Sequence, residues 1–203
     1  MKYYHSIGPS PGTARFFIAE KGLDIEVVTL DLLKGENREQ QHLGRNPLGQ
    51  LPVLELDDGT LISESIAVCE TLEELIPNPP LIGSTPKERA ETRMWTQRVN
   101  LGIGYPLLKA FQSGPGRVVY GPRTYTNPEM VPGLTGLAAY HLEWLDKNIS
   151  DQFLCGARFT LADILLFSFL TFADSHGNPI DKKLARVWAW VERVEARPTM
   201  KRL

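Results

Sequence analysis

"GQLPVLELDDGTLISESIAV", residues 49–68, decides more of the fold than any other stretch of this chain. LPVLEL and TLIS are short apolar-rich runs on either side of a turn pair, which reads as two short strands. Between them stands Asp58-Gly59, a pair that readily takes the positive φ angles of a tight hairpin turn. Pro52 enters the first strand with no N–H to give to a ladder. It marks a sheet edge or a cis turn, and it leaves the main chain of Leu51 free to pair with something outside the fold. SESIAV then opens a helix from Glu64 to Ile76, with Ile66, Cys69, Leu72 and Ile76 on one face. The unpaired N–H groups at Glu64 and Ser65 suit a carboxylate, and the Glu64 side chain suits an ammonium, so a zwitterionic amino-acid group fits there. The same residues also make an ordinary helix cap.

Upstream, KYYHS, residues 2–6, reads as a strand, and GPSPG, residues 8–12, as a turn presenting Ser10. A helix is predicted from Thr13 to Lys21, closed by Gly22, and then the β-rich DIEVVTLDL. The order is β-α-β, a polar connector, then β-β-α. Downstream the prolines and glycines of PNPPLIGSTP end the periodicity. The expected organisation is an α/β domain over residues 1–78, a linker over 79–87 and an all-α domain over 88–203. In the last, helices are predicted over residues 87–111 and 134–147 and from Thr160 and Asp181, with a loop over 113–133 long enough to be functional. Thr160 and Asp163 have the spacing of a capping box.

Composition excludes several classes. Lys and Arg number 22 against 24 Asp and Glu, which gives no electrostatic case for nucleic acid or an acidic membrane surface. Cys69 and Cys155 lie far apart among apolar neighbours and outside any CxxC, and read as buried reduced thiols in a cytoplasmic protein. No leader opens the chain, and the longest apolar run, residues 164–173, is too short to span a bilayer. Four scattered histidines and two isolated cysteines offer no metal-ligand spacing.

The N-terminal β-α-β, the Leu-Pro hairpin, ES opening a helix, the proline-rich linker and the all-α remainder together resemble the soluble glutathione S-transferases. The resemblance covers essentially the whole chain. It implies a thioredoxin-like N-terminal domain that binds glutathione, an all-helical second domain that contributes the electrophile site, and a homodimer. It implies that Pro52 is cis, that Leu51 pairs through its backbone with the cysteinyl part of glutathione, and that Glu64 and Ser65 hold the γ-glutamyl group. Lys34, and more weakly Gln50, fall where the family reaches the glycyl carboxylate; Lys34 alone is also an ordinary solvated lysine. The Thr160/Asp163 box is a folding determinant of the family's second domain.

In register the opening most resembles bacterial members, and Ser10 stands where the beta class has its active-site cysteine. A cysteine can form a mixed disulfide with glutathione, whereas a serine can only donate a hydrogen bond to its thiolate. The sulfur partner is assigned to Ser10 ahead of Thr13, with Tyr4, Ser6 and His5 as rivals; the tyrosine-type enzymes place their hydroxyl near Tyr4. The histidine and lysine that line the beta-class site are replaced here by Gly104 and Tyr105. The electrophile site, by the same analogy, lies between the first domain's turn and the start of the helical domain. Its candidates are Tyr105, Leu108, Phe111 and the loop bearing Arg117, Tyr120, Arg123 and Tyr125, whose character suits an apolar or aromatic substrate with a negative group. The activity implied is transfer of glutathione to a small hydrophobic electrophile. A glutathione-dependent reductase, peroxidase or ether-cleaving enzyme would share every binding residue, and a non-catalytic binding module would keep the hairpin and ES without ionising the thiol.

Overall fold

The computed structural model describes residues 1–201, which divide into two compact units between Leu81 and Ile82. The first unit holds strands β1 (Lys2–His5), β2 (Glu26–Thr29), β3 (Val53–Glu55) and β4 (Leu61–Ser63), and helices α1 (Pro9–Glu20), α2 (Gln40–Leu43) and α3 (Ser65–Leu75). The sheet order is β2-β1-β3-β4; β1 runs parallel to β2 and antiparallel to β3, and β3 and β4 form the hairpin. Its turn is the one the sequence announces, with Gly59 at φ 85° and Asp58 accepting from the Thr60 N–H. Alternation divides β1 between two faces: Tyr3 is fully buried with its hydroxyl donating to the Pro11 carbonyl of α1, and Tyr4 packs on the other face with Leu30 and Val53.

Two details differ from the sequence reading. Helix α1 starts at Pro9 rather than Thr13, because proline at a first helical position forfeits only an N–H that has no partner there anyway. On α3 the buried residues are Ser65, Val68, Cys69, Leu72 and Glu73, with Ile66 and Ile76 only half-buried. Glu73 takes a core position because its carboxylate pairs with Lys21 Nζ at 2.5 Å, both side chains being essentially inaccessible. Lys21 also donates to the carbonyls of Ile76 and Pro79, and Glu73 accepts from the Leu81 N–H. The first part of the proline-rich segment is therefore pinned to the first unit and is not a free connector.

The second unit is helical: α4 (Pro86–Val99), a π turn (Asn100–Gly104), α5 (Tyr105–Ser113), α6 (Arg117–Tyr120), α7 (Val131–Asn148), α8 (Leu161–Ser175) and α9 (Ala185–Glu195). Every residue of α8 from Leu161 to Ala173 is buried, as expected of a helix that is apolar on all sides. The long helix predicted over 87–111 is interrupted by the π turn, and the predicted loop over 113–133 contains α6 and the first residues of α7. A capping box absent from the sequence reading, Thr85 with Glu88, starts α4. Cys69 and Cys155 are free and buried. Among the described residues no helix is long and apolar enough to cross a membrane.

Candidate active site

Strand register gathers the predicted residues of the first unit. Tyr4 faces Val53, and Val53 faces Ser63. Pro52 directly precedes Val53 and Glu64 directly follows Ser63, the last pair of this ladder, so both stand at the end of the sheet where β1 turns into α1. Parallel pairing of His5 with Thr29 brings the start of the segment bearing Lys34 to the same end.

The start of α1 supplies donors. The N–H groups that a helix leaves without partners are those of its cap and first three residues. Here two of the four are prolines, Pro9 and Pro11, and Gly12 N–H already bonds the Gly8 carbonyl. The main-chain donors left are those of Gly8 and Ser10. The Ser10 side chain is half-exposed, and its hydroxyl has no hydrogen-bond partner among the described residues. Ser10 thus offers two donors, one main-chain and one side-chain, at the positive end of a helix.

The rival hydroxyls are occupied. Thr13 is fully buried and its hydroxyl is committed to the Pro9 carbonyl at 3.0 Å, inside the first turn of α1. Tyr4 donates to Glu55 Oε2 at 2.7 Å under the Arg45 guanidinium, and burial followed by the Glu55 hydrogen bond pushes its pKa up. Ser6 is buried and bonds the Ile7 carbonyl. His5 pairs with Thr29 and stacks on Tyr3; burial, then Arg15, lowers its pKa.

The Leu51–Pro52 peptide bond is cis. Leu51 lies outside the ladder, so its N–H and C=O have no strand partner. A polar shell that the sequence reading missed holds this segment: His42 and Asn46 both bond the Gln50 carbonyl, at 3.1 and 3.0 Å, and Asn37 donates to the Gly49 carbonyl. All three are buried. They stand in a stretch without apolar periodicity, and no pattern marks a side chain whose target is a carbonyl. The Gln50 side chain itself is exposed. Lys34 is exposed, and its ammonium reaches Asp31 at 3.4 Å and no other carboxylate among the described residues.

Glu64 is the one non-glycine residue with positive φ, at 71°, among those described. No side chain caps α3, so the N–H groups of its first turn are open, and the Glu64 carboxylate is exposed. Non-glycine residues in this sparsely populated region cluster at active sites and ligand clamps.

In the second unit, Phe111 and Tyr120 meet edge to face at 6.0 Å, and Phe111 also touches Phe172 and His176. Burial raises the Tyr120 pKa. Tyr105 and Leu108 are nearer the start of α5, with Tyr105 51% exposed. A separate groove of about 480 Å³ is lined by Trp95, Arg98, Leu101, Tyr140 and Trp144. None of the four predicted acceptor residues lines it.

Comparison with known proteins agrees with this architecture. The model of the glutathione S-transferase N-terminal domain matches residues 1–74, and that of the C-terminal domain matches residues 133–193. Glutathione S-transferase 2 of Saccharomyces cerevisiae is 32% identical over 97% of this chain and 85% of its own length. Maleylacetoacetate isomerase of Pseudomonas aeruginosa is 33% identical over 95% of this chain and 86% of its own. The crystal structure of a glutathione S-transferase domain-containing protein from Marinobacter aquaeolei superposes with a TM-score of 0.91 at 33% identity, covering 98% of this chain and 100% of that one. With a four-stranded α/β unit, an all-helical unit and relatives at this identity along nearly its whole length, the chain belongs to the glutathione S-transferase family.

Proposed function

We propose that this protein is a glutathione transferase in which Ser10 stabilises the glutathione thiolate for attack on a small hydrophobic electrophile. The observation that carries this is the state of Ser10: an unpartnered hydroxyl and an unpartnered N–H on one residue at the start of α1, where every rival hydroxyl is occupied. A free thiol has a pKa of about 8.5, and each unit of lowering corresponds to about 1.4 kcal/mol, so two aimed donors at a helix N-terminus suffice to bring it near neutrality. The protein supplies orientation and anion stabilisation and forms no covalent bond of its own.

The remaining roles follow from where the residues lie. Leu51 pairs through its main chain with the cysteinyl group, held in place by His42, Asn46 and Asn37 behind Gln50. The open start of α3 takes the γ-glutamyl carboxylate, and Glu64 takes its ammonium. Lys34 and Gln50 are the exposed side chains available to the glycyl carboxylate. The acceptor is met by residues of α5. A homodimer in a reducing, cytoplasmic compartment suits the free thiols and the exposed Leu101, Tyr140 and Trp144 beside the groove of the second unit, and light scattering tests the dimer.

The test is the ultraviolet absorbance of thiolate on bound glutathione against pH. We expect a bound thiol pKa well below that of free glutathione, and a rise of about one unit in Ser10→Ala, the loss of one donor of two. Binding with an unshifted thiol would overturn the catalytic reading, leaving a binding module. A second reading, glutathione-dependent isomerisation of an unsaturated acid, is favoured by the similarity to the isomerase. It needs the same thiolate and is distinguished by product formation with no net consumption of glutathione.

A further inference from the structure

The π turn at Asn100–Gly104 closes with Tyr105 N–H on the Asn100 carbonyl. Such turns are rare and recur at functional sites, and the extra residue rotates everything after it by roughly 100° relative to a continuous α-helix. It is fixed by close packing: a Cβ on Gly102 would lie 2.7 Å from the His141 ring, and one on Gly104 would lie 3.2 Å from Phe169. The residues whose direction it sets are those of α5.

On α5, Tyr105, Leu108 and Lys109 are neighbours at spacings of three and four. Tyr105 is exposed, and Leu108 and Lys109 are half-buried. Lys109 Nζ lies 5.8 Å from the centroid of the Tyr105 ring, and no carboxylate pairs with it among the described residues. Burial alone lowers its pKa. A lysine is normally solvated or paired, because withdrawing an ammonium from water without a counter-charge is unfavourable. Here a partly desolvated, unpaired ammonium stands over an aromatic ring beside a leucine, on a helix turned by a π turn.

We propose that Tyr105, Leu108 and Lys109 form an acceptor-recognising face that selects electrophiles carrying a carboxylate beside an apolar or aromatic body. The anion completes the charge of Lys109, and the organic body lies on Tyr105 and Leu108. This rests on the transferase reading above and adds the substrate class. Lys109 acts on recognition and takes no part in the sulfur chemistry.

The experiment compares 4-chloro-3,5-dinitrobenzoate with its methyl ester, each enzymatic kcat/KM being divided by the uncatalysed rate constant with glutathione. In both, the thiolate forms a bond to the ring carbon bearing chlorine, chloride leaves with the bonding electron pair, and the thiol proton goes to solvent. We expect the wild-type protein to favour the carboxylate, Lys109→Met to lose about tenfold or more of that preference through KM, and Lys109→Arg to keep most of it. Equal losses on acid and ester in Lys109→Met, or no preference in the wild type, would overturn the proposal, as would turnover of neither compound while the bound thiolate forms. Failure to form the thiolate at all is the separate result that removes the transferase reading.

Discussion

Two hydroxyls three residues apart, Ser10 and Thr13, have opposite fates because Thr13 has a helical carbonyl one turn behind it to bond, whereas Ser10 stands at the open end of α1 with no turn before it. Ser10, second in α1, is half-exposed with nothing to donate to; Thr13, one turn on, is fully buried and bonded to Pro9. Exchanging each for alanine separates their roles. Ser10→Ala should leave folding intact and cut the rate about tenfold at a pH below the thiol pKa, in step with the thiolate fraction. Thr13→Ala should cost about 1–2 kcal/mol in urea unfolding, a buried hydrogen bond and a small void, with the pKa of bound glutathione in place. A raised thiol pKa in Thr13→Ala alone would contradict this division. Neither serine nor threonine announces in sequence which way it faces once the helix start is misplaced by four residues, as it is when Pro9 is read as part of a turn.

At the scale of elements, α8 and the π turn each hold a testable device. The Asp163 carboxylate, near the start of α8, accepts from the N–H groups of Thr160 and Leu154 and from Trp190 Nε1 at 2.9–3.0 Å. Burial outweighs these bonds and raises its pKa from 3.8 to about 6. The folded state therefore binds a proton more tightly than the unfolded one, so Asp163 contributes stability below about pH 4 that is lost as pH rises through about 6. The ceiling on that loss is about 3 kcal/mol. Thermal unfolding between these pH values should show a downward slope with rising pH that Asp163→Asn flattens; an unchanged slope would refute it. In the π turn, Gly102→Ala places a methyl against the His141 ring and should destabilise by about 1–3 kcal/mol, measured by urea unfolding.

At the scale of the whole molecule, each unit buries a charge. In the first, Lys21 and Glu73 are both inaccessible and tie α1, α3 and residues 76–81 together through four contacts. Removing one partner strands the other, so Lys21→Met should cost about 3–5 kcal/mol in chemical denaturation. Lys21→Met combined with Glu73→Leu should recover a large part of that loss, because the desolvation penalty of both ions goes with them. Loss of the same size in single and double variants would show that the hydrogen bonds to the segment, and not the ion pair, dominate.

Local chemistry was enough for the hairpin, since Asp58-Gly59 and the apolar runs beside it act within a few residues, and enough for the open start of α3 and the Thr160/Asp163 pairing; for Pro52 it left an edge or a cis turn, and the structure has the cis bond. The order of strands and helices followed from periodicity, and the family from the resemblance of that order and its motifs to known proteins. The sequence pattern did not reveal Glu73 as a core residue, because apolar periodicity cannot register a carboxylate whose partner is 52 positions away in the chain. It did not reveal the support given to Gln50 by His42 and Asn46, whose target is a backbone oxygen, nor the π turn, which depends on rings supplied by α7 and α8. Segments declare what neighbouring residues can do for one another; which hydroxyl is left with nothing to bond, and which lysine is left without a counter-charge, is decided only when distant segments pack.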